Sequence, residues 1–379
     1  MTTTIDNEQK TLNVPNLRFP EFEGEWEENY VNEICNEFKS GKAIKADLIL
    51  DVGTYPVFGG NGLRGYTSTY NHDGLFVLIG RQGALCGNVR SVIGKTYITE
   101  HAIAVNGNNK SDTNFLHYLF LQMDLGRFSD QSAQPGLAVN KLLKLKVITP
   151  RIDEQRKIAN LLRLLDERIA TQNKIIDKLQ SLIKGISNRL LYADNSMSIR
   201  IEEMLIERSE RTKENNQYEI LSSTVNGIFS QRDYFSKDIA SDNNVGYKIV
   251  HLHDIVLSPQ NLWMGNINFN DKFDIGIVSP SYKVFSIADG FDKKYVAALL
   301  KTHHALYNYM LVSEQGASTV RRNLNYEAFE QLVFKIPSLN KQQEIGHVIS
   351  LLKSQLENAN LLIKTYNSQK QYLLRQMFI

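Results

Sequence analysis

The chain has 379 residues, 42% hydrophobic and 22% charged, with a formal net charge of +2. That composition suits a protein of two or three domains, each with its own core, and excludes a fibre or a disordered chain. No apolar run approaches the roughly 18 residues of a membrane span, and MTTTIDNEQK has neither a basic start nor an apolar segment, so no membrane is expected and the cytoplasm is the expected compartment.

The charge is uneven along the chain. Residues 1–40 carry −6, 41–149 carry +4, 150–192 carry +4, 193–337 carry −3 and 338–379 carry +3. After an N-terminal extension, residues 1–24, the stretch 25–149 reads as short strands punctuated by Gly, Asn and Asp, such as GLFVLIG (74–80) and TYITEHAIAV (96–105). A helix-like NFLHYLFLQMDL (114–125) and a polar loop SAQPGLAVNK (132–141) follow, then an apolar strand that runs into Pro150. Within this domain YPVFGGNGLRGY (55–66) contains both a G-x-G-x-x-G and an F-x-G-x-G. The first is the spacing of a dinucleotide-binding loop, and the second is shared with the cofactor loop of adenosylmethionine-dependent methyltransferases. A dinucleotide loop needs a buried parallel strand before it, a helix opening at its last glycine, and an acid about 20 residues on. Here Pro56 argues against a central strand, YTSTYNHDG has no helical stripe, and Leu85 stands where the acid belongs. The glycines instead suit a sharply bent loop that approaches a surface closely, so no cofactor is expected.

Residues 150–197 begin at Pro150 and carry an apolar seam. Positions 158, 162, 165, 169, 172, 176, 179, 183, 186 and 190 are Ile, Leu, Leu, Ile, Gln, Ile, Leu, Ile, Ile and Leu, an alternation of four and three that marks a heptad. Residues 198–337 repeat the strand-rich pattern, with YKIVHLHDIVLS (247–258), GIVSPSYKVFSI (276–287), a helix-like KKYVAALLKTHHALYNYML (293–311) and a polar loop SEQGASTVRRNLN (313–325). Residues 338–379 then repeat the seam at a constant offset of 187: Pro150 falls on Pro337, Gln155 on Gln342, Ile158 on Ile345, Leu164 on Leu351 and Leu165 on Leu352. The chain is therefore a tandem repeat of about half its length. Each helix should run about 40 residues, or roughly 60 Å. The fold expected is α+β: two strand-rich domains joined by two long helices that form an antiparallel coiled coil, related by a pseudo-twofold axis.

With this order of segments the chain resembles the specificity subunits of type I restriction-modification systems (the HsdS family). The resemblance lies in PNLRFPEFEGEW (15–26), YPVFGGNGLRGY (55–66), LIGRQGALCGNV (78–89), TEHAIAV (99–105) and P-x-x-x-E-Q (150–155) in the first half. In the second half it lies in GIFSQRDYFSKDIA (227–240), SPQNLWMGNI (258–267), VSPSYKVF (278–285) and IPSLNKQQEI (336–345). One departure is Lys341, which stands where Glu154 stands in the first copy and is expected to change a local contact only. The resemblance implies a non-catalytic DNA-reading scaffold. Target recognition domains at 25–149 and 198–337 would each read one half of a bipartite, asymmetric duplex target. The helices would set the unread spacer and dock two modification (methyltransferase) subunits, which two restriction (translocase and nuclease) subunits join. Half-sites about one helical turn apart, roughly 34 Å, fit two domains carried on such a rod.

Base readout needs donors and acceptors on loops that enter a groove. The candidates in the first domain are Asn61, Arg64 and Tyr66 on the glycine loop, Arg81 and Gln82 after a strand, and Gln134 and Asn140 near the end. In the second they are Ser222, Ser223, Thr224, Gln260, Asn261, Trp263, Tyr282, Arg321, Arg322 and Asn323. Each has a plainer use: Asn61 shapes a turn, Trp263 and Tyr282 fill a core, Arg64 binds phosphate without reading sequence. Neither cysteine, Cys35 or Cys86, sits in a metal or nucleophile pattern, and the histidines do not form a ligand set. Amino-methyltransferases similar to the modification subunits carry Asp or Asn before Pro-Pro, and this chain has no Pro-Pro. Two readings compete with the first: a stand-alone adenosylmethionine-dependent DNA methyltransferase using Phe58 to Gly65, and a coiled-coil scaffold without a DNA role.

Overall fold

The structure is a computed structural model that describes residues 12–130, 135–190, 197–234, 243–315 and 322–379. The chain divides into two compact units, one reaching to Asn173 and including Leu362–Ile379, the other Lys174–Leu361. The division cuts each long helix, so each unit keeps a segment of both.

In the first unit β1 (Glu27–Tyr30) pairs antiparallel with β9 (Lys146–Thr149), which closes the domain just before Pro150. Between them β2 (Cys35–Ser40), β5 (Leu75–Gly80), β6 (Val89–Ile93) and β8 (Ala102–Gly107) form an antiparallel sheet in the order β2-β8-β5-β6. Strand β5 is buried on both faces. Val77 and Ile79 enter the main core with Phe115, Leu116 and Phe120, while Phe76 and Leu78 enter a smaller one with Val92 and Ile98. A second sheet, β4-β3-β7, is built from β3 (Tyr55–Gly59), β4 (Gly62–Thr67) and β7 (Tyr97–Ile98). Strand β3 is thus a middle strand despite Pro56. The proline is tolerated because the parallel partner β7 pairs only with Val57 and Phe58, leaving Pro56 beyond its reach.

The second unit rebuilds the scaffold. Strand β10 (Met197–Arg200) pairs with β21 (Val333–Ile336), and β11 (Leu205–Glu207), β15 (Ile255–Leu257), β16 (Ile267–Phe269) and β18 (Lys283–Ile287) form a sheet in the order β11-β18-β15-β16. Position for position this is the strand order of the first unit. The smaller pairs differ: β12 (Leu221–Thr224) with β13 (Gly227–Ser230), β14 (Lys248–His251) with β17 (Ile275–Val278), and β19 (Ser313–Gln315) with β20 (Arg322–Leu324). The repeat therefore conserves the central sheet and varies what surrounds it.

Three segments that read as continuous are divided. TYITEHAIAV splits into β7 and β8 around a turn at Thr99–His101. YKIVHLHDIVLS splits into β14 and β15, where His253 takes a φ of +74° and the Asp254 carboxylate accepts the His251 N–H at 2.8 Å. KKYVAALLKTHHALYNYML becomes helices Lys293–Leu299 and His303–Leu311, because the Thr302 hydroxyl caps the second by accepting the Ala305 N–H at 3.2 Å.

The long helices are Ile152–Leu190, the central helix, and Leu339–Gln376, the C-terminal helix, of 39 and 38 residues. Every described seam side chain is buried or half-buried, whereas the residues between them are mostly exposed. In the first unit Asp166 meets Lys370, and residues from Leu164 to Gln172 flank Tyr366. In the second, Ile186 lies beside Val348, and Gln180 to Lys184 lie beside Ile349, Lys353 and Leu356. Rising numbers on one helix meet falling numbers on the other in both units, so the paired segments are antiparallel. Lys370, the charged interruption of the seam, donates to Asp166 at 2.5 Å and lies over the Tyr118 ring at 5.7 Å, so its charge is balanced at a half-buried position.

The repeated glutamines explain the matched register. Gln155 is wholly buried; its Nε2 donates to Pro150 O at 2.8 Å, and its Oε1 accepts the Asp112 N–H at 2.9 Å. Asp112 caps the domain's own helix, Thr113–Gln122. Gln342 repeats this: Nε2 donates to Pro337 O at 2.9 Å and Oε1 accepts the N–H of Asp292, the cap of Lys293–Leu299, at 3.1 Å. Each glutamine thus ties the first turn of a long helix to the start of a domain helix. Glu154 and Lys341 differ as their charges require. Glu154 is buried and accepts from Arg18 Nε and a terminal nitrogen, both at 2.8 Å, which raises the Arg18 pKa, whereas Lys341 is exposed beside Glu344. Residues 12–24 of the N-terminal extension are accordingly held against the first unit, with Leu17 N–H donating to Gln376 O at 2.8 Å.

Candidate nucleic-acid interface

The glycine loop is a β-hairpin. Gly59 pairs with Gly62, and Gly60-Asn61 is the two-residue turn, so the segment opens onto strand β4 and not onto a helix. That is the wrong setting for a dinucleotide fingerprint. Three glycines serve close approach. A Cβ on Gly60 would stand 2.7 Å from His101 O and 3.6 Å from the Arg81 N, one on Gly59 would stand 2.9 Å from Arg64 Cδ, and one on Gly62 (φ +107°) would collide with the Arg90 guanidinium. Asn61 is exposed at the turn, Arg64 is exposed on β4, and half-buried Tyr66 turns to the residue 50 segment, exchanging backbone hydrogen bonds with Leu50.

Arg81 and Gln82 leave the end of β5 and meet the hairpin. Arg81 N–H donates to His101 O at 2.9 Å, Arg81 O accepts from Leu137 N–H at 2.9 Å, and Gln82 bridges to Gly136. The Gln82 Oε1 lies 3.1 Å from His101 Nδ1. Asn140 is exposed on the single turn Val139–Leu142, beside the Lys141–Asp130 ion pair. Gln134 lies outside the described residues. The tertiary structure adds Arg90 and His101 to this group; neither carries a local motif, and only strand pairing brings them to the turn. Cys86 closes the same loop, its thiol raised by burial and by Asp130, while burial pushes Cys35 up to about 12, so both thiols are held protonated.

The second unit uses the equivalent place. The segment after β15 holds Gln260, Asn261 and Trp263, and Arg322 of β20 reaches it, its N–H donating to Gln260 O at 3.2 Å and its guanidinium lying 4.9 Å from the Trp263 ring centre. Gln260 and Asn323 are exposed, and Asn261 donates its N–H to Ser258 O. Arg321 lies outside the described residues. In both units, then, the stretch following the third strand of the sheet is met by the stretch that returns toward the last strand.

Ser222, Ser223, Thr224 and Tyr282 lie elsewhere, in the polar interior. Ser222 and Ser223 are 8% and 3% exposed. Ser223 Oγ donates to Asn266 Oδ1 at 2.8 Å and accepts from Asn268 Nδ2 at 2.7 Å, and Ser223 O accepts from Tyr282 O–H at 3.1 Å. The half-buried Thr224 uses its hydroxyl on Gly227 O and Asn226 N–H, and burial raises the Tyr282 phenol. The hydroxyls of Ser223, Thr224 and Tyr282 are spent inside the domain, and with them the β12–β13 hairpin is braced.

Residues 23–181 match the family described as the type I restriction modification DNA specificity domain. Over 154 residues the chain is 42% identical to the type I restriction enzyme EcoprrI specificity subunit of Escherichia coli, a stretch that spans 40% of this chain and 38% of that protein. The crystal structure of the type I restriction-modification S subunit from M. genitalium matches 97% of this chain and 99% of its own, with a TM-score of 0.70 at 16% identity. Two strand-rich domains, each with the same central sheet and a share of two long antiparallel helices, are therefore the fold of an S subunit. Residues 23–181 thus match the specificity-domain family, and the chain as a whole shares the fold of that S subunit.

Proposed function

We propose that this chain is the non-catalytic DNA-reading subunit of a cytoplasmic type I restriction-modification complex. The domains at 25–149 and 198–337 each read one half of a bipartite, asymmetric duplex target. The paired helices set the number of unread base pairs between the halves and dock two modification subunits, and two restriction subunits join that assembly. One observation carries the reading: two domains of one strand order gather Arg, Gln and Asn side chains at the same place, Arg81 and Gln82 with Asn61 in one and Gln260, Asn261 and Arg322 in the other. Gln and Asn are the side chains that pair with adenine edges, and Arg beside them pairs with guanine edges or with phosphate. Docking of two like subunits is supported by Leu164 and Leu351, equivalent in the repeat and exposed by 45% and 53%.

Single-molecule methylation sequencing of host DNA with and without this gene tests the proposal. The expected result is a methylated motif of two short blocks with a fixed unspecified spacer, present only with the gene. Methylation by the purified complex without any bipartite motif would refute it.

A further inference from the structure

The hairpin gathers more positive charge than base reading needs. Gly59 and Gly62 each make room for one arginine, the stem of Arg64 crossing Gly59 and the Arg90 guanidinium sitting on Gly62, while Gly60 lets His101 O approach, with the backbone of Arg81 in ordinary contact beside it. None of the three arginines forms an ion pair among the described residues. The nearby acid, Glu100, places Oε1 3.4 Å from His101 Nε2 and forms no ion pair with any of the three arginines among the described residues. Arg81 Nε and Arg90 Nε are shut off from solvent without an acceptor, so both guanidinium planes are held by packing and only their terminal nitrogens are left for a partner. A half-buried guanidinium without an internal counter-charge is costly unless an anion outside the protein supplies one. Arginine is also the side chain whose fork matches a phosphate.

We infer that Arg64, Arg81 and Arg90 form a clamp for the phosphate backbone of the half-site met by the first domain. It rests on the function proposed above. Asn61, on the two-residue turn beyond the arginines, is then the hairpin's side chain toward the base edges, and the clamp sets its register without carrying sequence information. Gly62 of the motif, and Gly59 beside it, are explained by the arginines they admit.

The test uses the complex assembled with modification subunits and a duplex carrying the target found by methylation sequencing. Binding is measured from low to high salt for the wild type and for Arg64→Gln, Arg81→Gln and Arg90→Gln. A lost phosphate contact should make the slope of log K against log salt shallower by about 0.9, with the methylated motif unchanged. An unchanged slope, or relaxed sequence preference within the first half-site, would overturn the clamp and assign the arginines to base edges. Arg64 is exposed and its substitution spares the fold, and an intact preference at the second half-site shows that each variant complex is assembled. A wild-type complex without any bipartite motif would instead refute the functional reading beneath the clamp.

Discussion

Replacing Gln155 by Ala should cost clearly more than replacing Gln342, although the two stand at equivalent places in the repeat. Gln155 makes four hydrogen bonds: Oε1 accepts from Asp112 N–H at 2.9 Å and Ser111 O–H at 3.1 Å, and Nε2 donates to Pro150 O at 2.8 Å and Lys110 O at 2.9 Å. Gln342 makes two, with Asp292 N–H at 3.1 Å and Pro337 O at 2.9 Å. A buried hydrogen bond contributes about 1 kcal/mol net, and orphaned partners add to its loss, so Q155A should cost about 4 kcal/mol and Q342A about 2 kcal/mol. Because the chain has two units, one unfolding midpoint is not a defined stability, and native-state hydrogen exchange read peptide by peptide is the suitable assay. Q155A should deprotect residues 108–122 and 150–160 and leave 292–299 unchanged, with Q342A doing the reverse to a smaller extent. Equal losses, or a larger loss for Q342A, would refute the assignment of these glutamines as the ties between long helix and domain.

The two charged neighbours of those glutamines give a second contrast. Glu154→Gln removes the buried partner of Arg18 and should destabilise the first unit by about 3 kcal/mol, while Lys341→Glu, at an exposed site, should stay within about 0.5 kcal/mol, both read by hydrogen exchange of the peptides of each unit. His117 supplies a pH dependence: burial, then Lys370, lowers its pKa from 6.5 to about 4, so the unfolded state binds the extra proton between those values. Stability of the first unit is therefore full above pH 6.5 and falls as the pH drops toward 4, by up to about 3 kcal/mol, and His117→Gln should remove that part of the slope in a pH series of hydrogen exchange on first-unit peptides, corrected for intrinsic exchange rates. Trp263→Ala frees the Arg322 guanidinium from its ring and should relax sequence preference in the second half-site alone, by about 1 kcal/mol of discrimination, read by competitive binding of variant duplexes.

The organisation of the chain was legible before any coordinates. A seam of period 3.5 repeats after 187 residues, and burial follows it to Lys370, because side-chain facing on a helix depends only on local spacing. The prolines marked both helix starts, and the failed flanks of the G-x-G-x-x-G already excluded a dinucleotide loop. Reading a strand interior was less secure. Pro56 argued against a central strand, yet β3 is one, since what matters is which residues its second neighbour reaches. The candidate site divided along the same line. Exposed polar residues beside turns, Asn61, Gln82 and Gln260, could be picked out from composition, whereas nothing local distinguishes Ser223, buried in an asparagine network, from a groove-facing serine.

Sequence by itself determined the tandem repeat and the register of the two helices, both of which follow from periodicity and punctuation along the chain. Only the tertiary structure decided that Arg90 of β6 and Arg81 beyond β5 meet one hairpin, and that Arg322 lies on Trp263, 59 residues away in the chain. Those meetings depend on strand order, which is settled by the packing of the whole sheet against its helices, and no short window of residues contains that information.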